Sequence, residues 1–140
     1  AVDHDLRLER TFLALCVAMP AEGAVALAAT DPDELLTSAL FRRAARHLAG
    51  RTATPLADLP ADDEELARTV ADIVARAGRG GELSADRLEH ARLLLELGRF
   101  DRAIKRARVE PGTDVATLAR ERERVRERIR GVVAQLENTV

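Results

Sequence analysis

The residue types that carry chemistry are sparse in this chain and poorly spaced for it. His4, His47 and His90 stand far apart, and no Cys or His pair has the spacing by which a helix or turn offers two ligands to one zinc ion. Gly78, Gly80 and Gly81 cluster, but no Lys-Ser or Lys-Thr follows to complete a phosphate-binding loop; a helix end and a flexible turn account for them. The acidic runs at 31–34 and 62–65 lack the alternating ligands and central glycine of a calcium loop. No Gly-x-Ser-x-Gly elbow occurs, and no pair of titratable groups stands out for proton transfer. The sequence therefore predicts no catalytic, cofactor-binding or metal-binding residue, and a chain that works by contact rather than by reaction.

What remains is charge. Arginine occupies every second position from Arg120 to Arg130, interleaved with Glu121, Glu123 and Glu127. On a helix that spacing spreads the arginines around most of the circumference and pairs them with glutamates three or four residues away. It does not make one stripe along a phosphate backbone, and the last helix has no aromatic side chain to stack on a base. Direct nucleic-acid binding is expected to be weak or nil. The net charge of −2 hides an asymmetry: residues 1–98 hold 11 basic against 17 acidic residues, and residues 99–130 hold 11 against 6. A basic end on an acidic body suits an oriented contact with an acidic partner, beside the plainer role of a solvated helix surface.

These residues must be positioned by helices. The 140 residues are 46% hydrophobic and 33% charged, the balance of one folded domain. Only Phe12, Phe41 and Phe100 are aromatic and no β-branched run occurs, so the core is Leu, Val, Ile and Ala, and the fold class is all-α. No apolar stretch approaches the ~20 residues of a membrane span, and the longest, from Phe12 to Met19, lacks the flanks of a signal peptide. Cys16 is alone, so no intramolecular disulfide can form; it reads as a small buried hydrophobe in a reducing, cytoplasmic setting. The first residue is Ala1 rather than Met, which suggests a segment of a longer protein.

Periodicity and capping residues divide the chain. A first helix is expected from Asp5 to Met19, with Leu8, Phe12, Leu15, Cys16 and Met19 on one face, closed by Pro20. A short helix follows over Ala21 to Ala29, and Asp31-Pro32-Asp33-Glu34 starts another. Ser38 caps a helix that presents Phe41, Ala44, Ala45 and Leu48 inward and stops at Gly50. Residues 51–61, with Pro55 and Pro60, read as a surface loop. Asp62 to Glu65 opens a helix with the stripe Leu66, Val70, Ile73, Val74 and Ala77, stopped by Gly78. Ser84 caps a long helix to about Val109, weakened at Gly98. After a break at 110–113, Thr113 or Asp114 caps the last helix, to about Leu136.

The clearest pattern lies in these last two helices. Leu93, Leu97, Phe100, Ile104 and Ala107 alternate in steps of four and three, as do Val115, Leu118, Arg122, Val125, Ile129, Val132 and Leu136. That spacing makes an antiparallel seam in which Arg122 is the only charge, its stem long enough to reach water. The expected architecture is a helical bundle over 1–90, then a hairpin over 91–140 whose first helix, about 84–109, is shared with the bundle. Two helices cover each other along one seam only, so the hairpin tip must leave apolar groups available. Ile104, Val109, Val115 and Leu118, ringed by Arg106, Arg108 and Arg122, are the candidate partner-binding residues.

The order of features resembles the C-terminal helicase-binding domain of bacterial DNA primases. Glu9-Arg10-Thr11-Phe12-Leu13-Ala14-Leu15 and Pro20 look like that domain's first helix, where an acidic residue starts a Leu-rich helix that stops at a proline. Asp33-Glu34-Leu35-Leu36-Thr37-Ser38, running into Arg42, Arg43 and Leu48, is similar to its next landmark, with Leu36 where many relatives carry Phe. Leu94 to Ile104 resembles the long helix leading into its terminal hairpin. The resemblance implies a non-enzymatic domain, monomeric on its own, that docks on the N-terminal domains of the hexameric replicative helicase and couples primer synthesis to unwinding. It raises single-strand-binding protein as a second partner, and places the polymerase activity in the parent primase. Two alternatives stand beside it: the helical N-terminal collar of the helicase itself, and a general helical adaptor that dimerises through its hairpin.

Overall fold

The computed structural model describes residues 2–110, 112 and 114–138. Among them the chain forms seven α-helices and no strand: α1 (Val2–Ala18), α2 (Pro20–Ala28), α3 (Pro32–Leu35), α4 (Ala39–Leu48), α5 (Glu64–Gly78), α6 (Ala85–Ala107) and α7 (Val115–Asn138). Local chemistry sets most of these boundaries. The side chains of Asp31, Ser38, Asp63 and Ser84 each accept a hydrogen bond from a backbone N–H two or three residues ahead, at 3.0, 3.1, 3.2 and 3.1 Å. Each satisfies a donor that the first turn leaves free, a cap worth about 1 kcal/mol against Ala. Asp114 does the same for α7 through Thr117; Thr113, the other expected cap, lies outside the described residues, as does Pro111 of the break. Gly50 (φ +83°) ends α4 in the left-handed conformation.

Some boundaries differ from expectation. Helix α1 begins three residues earlier, at Val2, with Asp3 and Asp5 in its first turn where the helix dipole favours carboxylates. Pro20 opens α2 rather than merely ending α1, because the first helical position needs no N–H. Gly78 is the last helical residue of α5 and not a left-handed stop. Helix α6 ends at Ala107, two residues early, runs unbroken through Gly98, and is about 35 Å long. Helix α7 continues past Leu136 to Asn138. Residues 51–61 form the surface loop expected, anchored at two points: Thr52 is buried, its hydroxyl donating to the Pro20 carbonyl at 2.7 Å, and buried His47 donates from Nε2 to the Pro55 carbonyl at 2.7 Å.

Helix α1 is the centre of the bundle, packing on α2, α4, α5 and α6. Phe12, Leu13, Cys16, Leu36, Leu48, Val70 and Ile73 are fully buried there. One buried charge belongs to the same core. The Glu9 carboxylate, 1% exposed, accepts hydrogen bonds from the Thr37 N–H (2.9 Å), the Thr37 hydroxyl (2.6 Å) and the Ser38 N–H (3.1 Å). It therefore holds the start of α4 against α1.

Helix α6 serves two cores. Each residue of a helix turns by about 100°, so Leu88, Ala91 and Leu95 fall nearly opposite Leu93, Leu97 and Phe100. The first set joins the bundle core; the second forms a separate cluster with Leu118, Val125, Ile129 and Val132 of α7. Helices α6 and α7 pack antiparallel along this seam, with Arg122 at Asp101 and Arg128 at Glu89. The two cores interleave along α6 between Leu88 and Phe100 rather than dividing at one residue.

Candidate interaction surface

The hairpin tip gathers some of the candidate residues and separates others. Ile104 and Ala107 close into the seam, 8% and 6% exposed, while Val115 and Leu118 are half-buried. Val109 is 79% exposed. Arg106 and Arg108 are exposed and form no ion pair with a described residue. Ile104, Arg108, Val115 and Arg122 line one open groove of about 620 Å³, together with Asp101, Lys105, Ala119 and Glu123. Arg106 and Val109 face a different groove, of about 690 Å³, on the other flank of α6 beside α3 and the start of α4. Leu118 packs in the seam, and the other candidate residues divide between two surfaces, with Lys105 on the ridge between them.

Arg122 does not simply reach water. Its Nε donates to the carboxylate of Asp101 on the facing helix, a partner that the seam spacing gave no reason to single out. The other described arginine pairs of α7 depart from expectation in the same way. Arg128 reaches Glu89 on α6 at 3.0 Å, and Arg130 approaches Glu123 at 3.4 Å seven residues back. None of these is the three- or four-residue pair that the alternation suggested; for Arg122 and Arg128 the facing helix offers carboxylates instead. At the foot of α7, hydrogen bonds from the Thr117 hydroxyl and N–H hold the Asp114 carboxyl below its ordinary range.

The bundle carries its own charged groove, which sequence periodicity did not reveal. Arg7 and Arg10 of α1, Arg76 of α5 and Arg87 of α6 surround Ala14, Leu15, Ala18 and Leu83, enclosing about 170 Å³. Asp72 serves two of the arginines, lying 3.5 Å from Arg10 Nε and 3.1 Å from Arg76 Nε. Arg87 donates to the Glu82 carbonyl, which fixes the guanidinium without neutralising it. Arg10 also lies over the Phe41 ring at 5.7 Å, and its Nε is buried without a hydrogen-bond acceptor. The positive charge here is under-compensated around an apolar floor.

Cys16 is fully buried, and burial pushes its thiol up to about 12. Among the described residues no cluster of His, Cys, Asp and Glu is arranged to hold a metal ion, and no helix is long and apolar enough to cross a membrane. The arrangement offers surfaces: a mixed-charge groove at the hairpin tip, a basic groove beside α3, and an arginine-lined groove on the bundle. Comparison with protein-family models, curated proteins and solved structures finds no match to this chain.

Proposed function

We propose that this chain is the non-catalytic helicase-binding domain of a bacterial DNA primase, docking through its hairpin on the N-terminal domains of the hexameric replicative helicase. Such a tether would couple primer synthesis by the parent polymerase to duplex unwinding. The observation that supports the reading best is the double use of α6. One face is sealed in the bundle and the other in the seam with α7, so the bundle carries a hairpin whose tip is left for a partner. The groove of Val115 and Ala119, edged by Asp101, Lys105, Arg108, Arg122 and Glu123, has the apolar centre and charged rim of a small protein interface. Single-strand-binding protein, the second partner raised by the resemblance, would find its best electrostatic match in the Arg7, Arg10, Arg76 and Arg87 groove if it presents an acidic segment.

The deciding experiment mixes the full chain with purified replicative helicase and follows the complex by gel filtration. Ala119 is exposed and lies outside the buried seam, so Ala119→Arg should abolish the complex without loss of helicity. Arg76→Glu, on the bundle, should leave it intact. Wild-type binding by the Ala119 variant would remove the hairpin from the interface. A stable dimer or ring of the chain alone would favour the adaptor or the helicase-collar reading instead.

A further inference from the structure

The last turns of α6 run beside α3 and the start of α4, and there the inner face changes character. Leu88, Ala91, Leu95, Arg102 and Arg106 share one side of the helix at about 100° per residue, and Val109 follows just past its end. The first three are in the bundle core, and from Arg102 onward the same side is basic. The seam side stays apolar over this stretch, through Ile104 and Ala107. Packing explains the seam and leaves the cations unexplained.

Across from them is the α3–α4 connection, and its carbonyls hold two guanidiniums in place. Arg42 Nε donates to the Leu36 carbonyl at 2.8 Å, and Arg102 Nη2 lies 3.2 and 3.4 Å from the Glu34 and Leu35 carbonyls. These bonds orient the guanidiniums without neutralising them, and each retains further N–H donors. Lys105 and Arg106, a turn along, are exposed and form no ion pair with a described residue. Of the two carboxylates on this groove, Asp33 is engaged by Arg46, leaving Glu34 against Arg42, Arg102, Lys105 and Arg106.

We propose that this groove binds the phosphate backbone of single-stranded nucleic acid. A protein partner would need an apolar centre, and among the described residues lining this groove the only large apolar side chain is Val109, with guanidinium and ammonium groups around it. Guanidiniums held at a fixed edge suit phosphate oxygens, which they can bind in pairs. No aromatic side chain lines the groove, so the contact is to backbone and indifferent to base sequence. The cations are few, Arg42, Arg102, Lys105 and Arg106, so they can engage only a few phosphates of one strand. The inference rests on α3, α4 and the inner side of α6, and of its cations only Lys105 also edges the hairpin-tip groove.

The test is fluorescence anisotropy of a labelled oligothymidylate with the full chain, across a salt series. Binding should appear at low salt and weaken with a log–log slope of about −2 to −3, at roughly 0.7 for each phosphate neutralised. Lys105→Glu with Arg106→Glu should weaken it by about tenfold or more. Arg124→Glu with Arg126→Glu makes the same charge change on the exposed side of α7 and should leave affinity within about twofold. The neutral pair Lys105→Gln and Arg106→Gln, checked by circular dichroism, covers the case in which the reversal disturbs folding. No binding at low salt, or equal loss in the α6 and α7 variants, overturns the proposal. So does a duplex that binds as tightly as the strand, or an oligoglutamate or inorganic phosphate that competes as well as the oligonucleotide.

Discussion

The Glu9 carboxylate holds Thr37 by both its backbone N–H and its hydroxyl, across 28 residues of sequence. With the Ser38 N–H it takes three donors at the start of α4, where the helix end favours negative charge. Glu9→Gln keeps the shape but replaces one acceptor oxygen with a donor. It should cost about 1–3 kcal/mol in chemical denaturation, and Glu9→Ala should cost more by leaving the donors unmet. A change below about 0.5 kcal/mol in both would mean that water replaces the carboxylate without penalty.

Gly23 is buried where α2 crosses α1, and a methyl group there would sit 2.0 Å from the Cys16 carbonyl oxygen. The obstacle is backbone, which cannot turn aside. Gly23→Ala, ordinarily favourable within a helix, should here destabilise by about 3 kcal/mol or more and lower the melting temperature. A stabilised variant would show that α2 can lift away from α1 at no cost.

The Cys16 thiol, raised from 9.0 to about 12 by burial, should resist thiol reagents at pH 8 in the folded chain and react only on opening. Between these two values the unfolded state loses its proton while the folded state keeps it. The unfolded form then binds fewer protons, so stability falls as pH rises above about 9, by up to about 1.4 kcal/mol per pH unit. Denaturation at pH 8 and pH 10 should show the loss in the wild-type chain and a smaller one in Cys16→Ala. Equal losses in both would place the effect in other groups.

Helix α7 packs mainly on α6, and Val125 is its one buried residue among those described. Its amides should exchange with solvent faster than those of α1 or of α5 from Leu66 to Ala77, measured by hydrogen exchange with mass spectrometry. Equal protection in all three helices would mean that hairpin and bundle open together.

The sequence announced the features governed by neighbours in the chain. Asp31, Ser38, Asp63 and Ser84 each cap a helix within three residues of themselves, and the 3–4 alternation of the seam depends on nothing outside its two helices. It did not announce bonds made across the fold. Glu9 to Thr37, Thr52 to Pro20 and Arg102 to the Glu34 carbonyl span 28, 32 and 68 residues, and no local pattern marks either partner. The candidate surface was read halfway for the same reason. Apolar spacing identified Val115 and Leu118, but only the course of α6 past α3 shows that Arg106 and Val109 look the other way.

Because α6 is read from both sides, the angle between bundle and hairpin is written into its helical phase. Inserting a single residue between Leu95 and Leu97 would rotate every later side chain by about 100° against the bundle. The tip would then point elsewhere, and Leu93 would fall out of line with Leu97 and Phe100 in the seam. An added heptad would nearly restore the direction while moving the tip outward by about 10 Å. Length and bearing of the arm are therefore separate quantities, and only whole turns of helix change one without the other.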